Sequence, residues 1–191
     1  MYTKRIYFSG GDFHELQEVF RHVPGVVEAT AGYLDAAAGN DAVSFAEVAS
    51  GDIEAVMGVA VRYNPKKMDL SQLMDILFTV VNPYEKDGQG EAKGPMYQCG
   101  VFYDDPEDEP QIEYHMNFIA SRGRPPAATC ANLTMNDPNS NPKLGRKCYA
   151  KAKLLENFHP AEEEHQDFLA RHPERKTFID FPRLHELGIL E

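Results

Sequence analysis

A chain of 191 residues, 42% hydrophobic and 26% charged, has the composition of a soluble globular protein and can bury a core without disulfide staples. Its formal net charge of −11 argues against nucleic acid or an anionic membrane surface as partner, since both call for clustered Lys and Arg. No apolar run nears the ~18 residues of a membrane span, and "MYTKRIYF" carries no secretory pattern. Cys99, Cys130 and Cys148 are an odd set with no zinc spacing and no Cys-x-x-Cys pair, so free thiols in a cytoplasmic protein are expected.

Along the chain, "KRIYFSGG" (4–11) mixes β-branched and aromatic residues and stops at a glycine pair, which predicts a strand. "DFHELQEVFRHVPG" (12–25) sets Phe13, Leu16, Val19 and Phe20 at helical spacing. Asp12 is placed as N-cap, with Glu15 completing a capping box, and Pro24-Gly25 closes the helix. Strands follow at 26–33 and 56–65, separated by an Ala- and Gly-rich loop from Leu34 to Ser44. A helix over 68–83 is capped by Asp69 and stopped at Asn82-Pro83. A polar loop (84–95), a strand (96–105) and a helix (110–123) come next.

Residues 124–147 hold prolines and asparagines without periodicity and read as a long irregular loop. A strand over 148–158, a helix over 160–173 and a packed or frayed tail complete the order. Glu162 to Glu164 read as a solvated first turn, and "YDDPEDEP" (103–110) as a solvated acidic turn without EF-hand spacing. The pattern predicts one α+β domain over 1–191, with helices covering a central sheet.

Four segments in order, "GGDFHELQEVFRHVPGVVEATAGY", "FAEVASG", "NPYEKDGQGEAKGPMYQCGVFY" and "FHPAEEEHQDFL", resemble the methionine sulfoxide reductase A family from about Lys4 to about His172. The resemblance implies a ferredoxin-like, split β-α-β core with a mixed sheet. It also implies a pocket at the start of the first helix, where the family carries a nucleophilic cysteine, a Phe-Trp pair, two tyrosines and two acidic residues.

Matched residue by residue, the cysteine position falls on Asp12 and the Trp position on His14, while Phe13 keeps its ring. Tyr33 and Tyr97 match the tyrosines. Met57 and Ala92 fall on the acidic positions; sliding Glu54 into the first would need a three-residue shift. His165 matches the family's histidine and is expected near the pocket wall. No cysteine follows Cys148, so the family's C-terminal resolving thiol has no counterpart.

The family's reaction needs a group that attacks sulfur, carries oxygen as a sulfenic acid and is resolved to a disulfide. A carboxylate has no such redox step. The expectation is therefore that standard reduction is lost, that no cofactor or metal is used, and that thioredoxin is not a partner. A small molecule or a methionine-containing peptide would bind at Asp12, Tyr33 and Tyr97, against Phe13, His14, Met57, Ala92 and Cys99. Three roles for Asp12 stay open: a plain N-cap, part of a binding pocket, or an acid/base or metal pair with His14. Two residues apart, Asp12 and His14 converge only if one lies in the turn before the helix. Cys99, expected on the same strand face as Tyr97, is the alternative thiol.

Overall fold

The structure is a computed structural model and describes residues 2–38, 41–120 and 147–191. The irregular loop expected over 124–147, and Cys130 within it, fall outside the described residues except for Lys147.

The first strand, β1 (Lys4–Ser9), alternates as a half-buried strand should. Ile6 and Phe8 enter the main core, while Tyr7 faces the other side of the sheet. After the glycine pair, α1 (Phe13–Arg21) buries Phe13, Leu16, Val19 and Phe20 along one stripe. β2 (Val26–Leu34) and β3 (Val56–Tyr63) form the longest pairing, with Tyr33 opposite Met57.

Between those strands lies α2 (Phe45–Ser50), an element the sequence reading left without assignment. It is held by a capping box between Ser44 and Glu47. A second such box, Asp69 with Gln72, starts α3 (Leu70–Val80) at the cap the sequence predicts. Then come the short hairpin β4 (Gly88–Gln89) and β5 (Ala92–Lys93), the strand β6 (Gly100–Tyr103) and the helix α4 (Glu109–Ala120).

The C-terminal part contributes β7 (Lys151–Leu154), β8 (Phe158–Pro160), α5 (Phe168–Arg171) and α6 (Phe181–Glu186). The main sheet runs β7-β6-β1-β3-β2-β8. Its inner four strands, β6, β1, β3 and β2, pair antiparallel with one another, and the connections β1-α1-β2 and β3-α3-β6 each straddle one strand. That is the split β-α-β, ferredoxin-like core expected. β7 runs parallel to β6, which makes the sheet mixed. Residues of α1, α3 and α4 pack with Ile6, Phe8, Val59 and Val61 in one core on one face of the sheet.

Four predicted elements differ. The strand expected over 148–158 is confined to β7, with Phe158 starting β8 on the opposite edge of the sheet, and the loop expected over 84–95 contains the β4–β5 hairpin. The strand expected over 96–105 is confined to β6, because Pro95 opens a 3-10 turn that takes in Tyr97. The helix expected over 160–173 is mostly absent. In its place are β8, a 3-10 turn (Glu163–His165) and the single turn α5. The cause is the sheet edge. β8 pairs with β2 from Leu34 to Gly32, and the Gln166 side chain bonds to Ala31 N, Ala31 O and Ala161 O, pinning the segment before it can wind. Gly32 permits the approach, since a Cβ there would sit 2.5 Å from His159 O.

Candidate active site at the start of helix α1

Leaving β1, the chain turns through Gly10 and Gly11. Gly11 has φ +74, and its amide donates to Tyr97 O at 3.0 Å, which ties the turn to the 3-10 segment. Asp12 follows in extended conformation as the N-cap of α1, its Oδ1 accepting from His14 N at 2.8 Å. The capping box predicted with Glu15 does not form. Glu15 Oε1 instead accepts from Phe178 N at 3.0 Å, drawing the C-terminal segment over the start of the helix.

Because Asp12 sits in the turn before α1, it and His14 do converge: His14 Nδ1 lies 3.2 Å from Asp12 Oδ1. Burial works against ionisation of Asp12, but the ring and amide of His14, with the charge of Arg175, outweigh it and hold the carboxyl below its usual range.

The His14 ring is buried and stacks on Phe168 at 4.3 Å. Its Nε2 lies 3.0 Å from His165 Nδ1. His165 in turn stacks on Phe45 at 4.3 Å, and its Nε2 stands 4.0 Å from Glu162 and 3.8 Å from Glu164. Glu162 accepts from Tyr33 Oη at 2.8 Å and from Phe45 N at 3.0 Å. The solvated role expected for Glu162 is therefore corrected. It is the acceptor that joins β2, α2 and the 3-10 turn.

Burial and the neighbouring Glu162 push the Tyr33 phenol far above its usual value. Tyr97 is raised more modestly, by burial and by the negative charge of Asp12. Tyr33 is fully enclosed, so its hydroxyl meets Glu162 rather than solvent.

An open cleft of about 380 Å³ faces Asp12 and His14 and is walled by Glu15, Phe168, Arg175 and Lys176. The other expected ligand contacts lie elsewhere. Phe13 and Met57 are buried in the core, where Phe13 meets the rings of Tyr33 and Phe45 at 5.8 and 6.1 Å. Ala92 belongs to the β4–β5 hairpin and does not line the cleft. Cys99 is corrected too. Neither Tyr97, in the 3-10 turn, nor Cys99, which precedes β6, lies in a strand, so no shared strand face brings Cys99 to the cleft; it is a core residue whose thiol burial pushes well up.

Sequence reasoning missed Glu162, Phe45, Phe168 and Arg175. The "AEEEHQ" match marked the segment, yet nothing local reveals that Glu162 reaches a backbone amide 117 positions away. Among the described residues, one group places three ligand atoms within 4.8 Å of one another, namely Glu162, Glu164 and His165. Within that group Glu162 is the hydrogen-bond acceptor, for the Tyr33 hydroxyl and the Phe45 amide. Asp12 and His14 join no such group among the described residues.

The two depressed carboxyls make a pH prediction. A carboxyl lowered on folding stabilises above its unfolded value and loses that contribution as pH falls through its folded one. For Asp12 and Glu162 the ordinary values are 3.8 and 4.5. For Glu162, burial opposes ionisation, while the Phe45 amide and the Tyr33 hydroxyl reverse the balance. Thermal midpoints measured from pH 7 downward are expected to hold to about pH 5 and then drop steeply toward pH 3. The Glu162→Gln variant should drop less.

Over residues 4–187 the sequence matches the family described as peptide methionine sulfoxide reductase. The chain belongs to this family. The peptide methionine sulfoxide reductase MsrA of Mycoplasma pneumoniae is 31% identical over 178 residues, covering 93% of this chain and 99% of that protein. Among solved structures, Mxr1 of Saccharomyces cerevisiae in reduced form is similar with a TM-score of 0.74 at 25% identity, covering 92% of this chain and 88% of Mxr1. The mixed sheet with flanking helices is thus the MsrA fold.

Mxr1 has also been solved in complex with Trx2, a likeness of TM-score 0.52 at 18% identity over 87% of this chain and 84% of Mxr1. That complex belongs to Mxr1, and beside it the expectation that thioredoxin is no partner of this chain is withdrawn. Among the described residues, no helix is long and apolar enough to cross a membrane.

Proposed function

We propose that this MsrA-family protein has set aside thiol-based sulfoxide reduction and uses the cleft at the start of α1 to bind a small ligand, a small molecule or a methionine-containing peptide. Asp12 takes the position of the family's nucleophilic cysteine. The observation that carries the reading is the placement of that carboxylate: it is the N-cap of α1, accepts from the His14 amide and lies 3.2 Å from His14 Nδ1 at the cleft wall. It accepts hydrogen bonds there and offers no route to a sulfenic acid.

Two other thiols give no ready substitute. Burial raises both Cys99 and Cys148, and neither lines the cleft. A second reading, acid/base chemistry by Asp12 with His14, is favoured by their 3.2 Å contact.

The test uses the protein as it stands. With dithiothreitol and a methionine sulfoxide peptide, turnover should not exceed the protein-free background. In thermal shift measurements, a methionine-containing peptide or a small-molecule library member should raise the melting temperature. A ligand present at about 100 times its Kd adds ~2.7 kcal/mol. Reduction at a rate comparable with the Mycoplasma pneumoniae relative, measured side by side, would overturn the proposal.

A further inference from the structure

Four side chains at the cleft are in series: Glu164, His165, His14 and Asp12. The distances between them are 3.8 Å, 3.0 Å and 3.2 Å. The two imidazoles lie nearly parallel, 16° apart, which suits a hydrogen bond within the ring planes. Apolar faces sheathe the pair, with Phe168 on His14 and Phe45 on His165. The side chains of His14 and His165 are 9% and 15% exposed, whereas the ends of the series reach water, Asp12 at 44% and Glu164 at 79%.

With both rings neutral, the closer end group, Asp12 at 3.2 Å against Glu164 at 3.8 Å, sets the direction of the hydrogens. An ionised Asp12 only accepts, so His14 Nδ1 carries the hydrogen facing it. Neutral His14 then has its lone pair on Nε2, and His165 Nδ1 must be the donor to it. Neutral His165 is left with its lone pair on Nε2, toward Glu162 and Glu164. A proton that enters the pair from solvent is received at that atom, between two carboxylates.

We propose that His165, His14 and Asp12 form a proton relay that carries a proton from solvent to Asp12, making the cleft a general-acid site for a small ligand with a basic oxygen or nitrogen atom. The use of the relay rests on the cleft being a ligand site; its existence does not.

In balance, one proton bonds to His165 Nε2, and the Nδ1 hydrogen of His165 passes to His14 Nε2. The Nδ1 hydrogen of His14 then passes to Asp12 Oδ1. One proton has entered, one rests on Asp12, and each ring is again neutral with its tautomer reversed. After Asp12 has given its proton to a ligand, a proton taken up by Asp12 from the cleft side and passed back along the same bonds, with one released to solvent at His165 Nε2, restores the starting tautomers. Because His14 and Arg175 favour its ionised form, a protonated Asp12 gives up its proton readily to a basic ligand.

Other charged groups face the series from the elements around it. Glu162 lies at the His165 end, Arg175 stands over Phe168, and His172 packs on the same ring. Glu15, Glu174 and Lys176 line the cleft beyond Asp12. None of these lies between the two imidazoles, so none breaks the sequence of donors.

Nitrogen-15 NMR of histidine-labelled protein without ligand decides the matter, because protonated and unprotonated ring nitrogens have distinct shifts. His14 and His165 should both show the Nδ1–H tautomer at high pH. On acidification the new proton should appear at His165 Nε2, with the His14 signals moving at the same midpoint. Asp12→Ser keeps an acceptor for the His14 amide and removes the anion; it should shift the tautomers of both histidines together. A parent His14 in the Nε2–H form, or independent midpoints for the two rings, would overturn the relay even if Asp12→Ser failed to fold. A thermal shift screen without any binder would count against the ligand site and leave the relay standing.

Discussion

Asp12→Cys is expected to turn the protein into a methionine sulfoxide reductase. The variant puts a thiol at the N-cap of α1, where the helix dipole and the His14 amide that now bonds Asp12 would favour thiolate. Attack on the sulfoxide sulfur and transfer of its oxygen would leave methionine and a cysteine sulfenic acid, which dithiothreitol reduces as it is itself oxidised to its disulfide. Without reductant, the variant should release one methionine per protein and stop.

With reductant, turnover should exceed the parent by on the order of 100-fold, a part of the ~10⁶ that a catalytic nucleophile can be worth. The exchange also removes a good N-cap, so a stability loss of about 1 kcal/mol is expected beside the gain. A variant that folds, melts normally and still releases no methionine would mean that the cleft no longer seats a sulfoxide. Met57 and His14, which depart from the family pattern, would then be the changes to reverse next.

The scaffold was legible where local pattern and tertiary packing agree. Ile6, Phe8, Leu16, Val19 and Phe20 fall in the main core as their spacing predicts, and Asp69 caps α3 where Asn82 and Pro83 later end it. The four family-like segments also conveyed the mixed sheet and split β-α-β core that no periodicity could have supplied. Failures came where a distant partner overrides a local preference. Residues 160–173 have a good helical pattern, but pairing with β2 and the bonds of Gln166 hold them extended or in short turns.

The same cause explains the site. Glu15 stands at the correct spacing for a capping box, yet a backbone amide from Phe178 claims its carboxylate. Asp12 and His14 could be foreseen as a pair, because the N-cap lies in the turn before the helix. Their continuation into His165 could not, since 151 positions separate the two histidines in sequence. Cys99 was misplaced by a single assumption, that it and Tyr97 lie on one strand, whereas β6 begins only at Gly100. Pro95 ends that assumption by starting a 3-10 turn.

Glu162→Ala should be the most damaging single substitution at the site's inner wall. Its carboxylate takes hydrogen bonds from the Tyr33 hydroxyl and from the amide of Phe45, the first residue of α2. Removing it leaves a phenol on a fully enclosed ring and a helix-start amide without their acceptor. Losing a charged acceptor costs about 1.5–3 kcal/mol, and each donor left unpaired adds about 1–3. Glu162 is itself 34% exposed, so water recovers part of this, and a total near 2–4 kcal/mol is expected in urea unfolding.

Glu162→Gln keeps one acceptor oxygen and the side-chain volume, so it should cost about 1 kcal/mol and blunt the acid-side fall in melting temperature. The effect should also reach the cleft. With the anchor gone, the turn that carries His165 loses one of its ties to β2 and α2, and the His14 ring signals should shift although His14 is untouched. If Glu162→Ala unfolded within about 0.5 kcal/mol of the parent, Glu162 would be behaving as an ordinary surface carboxylate. The packing of His165 against Phe45 would then have to hold the inner wall without it.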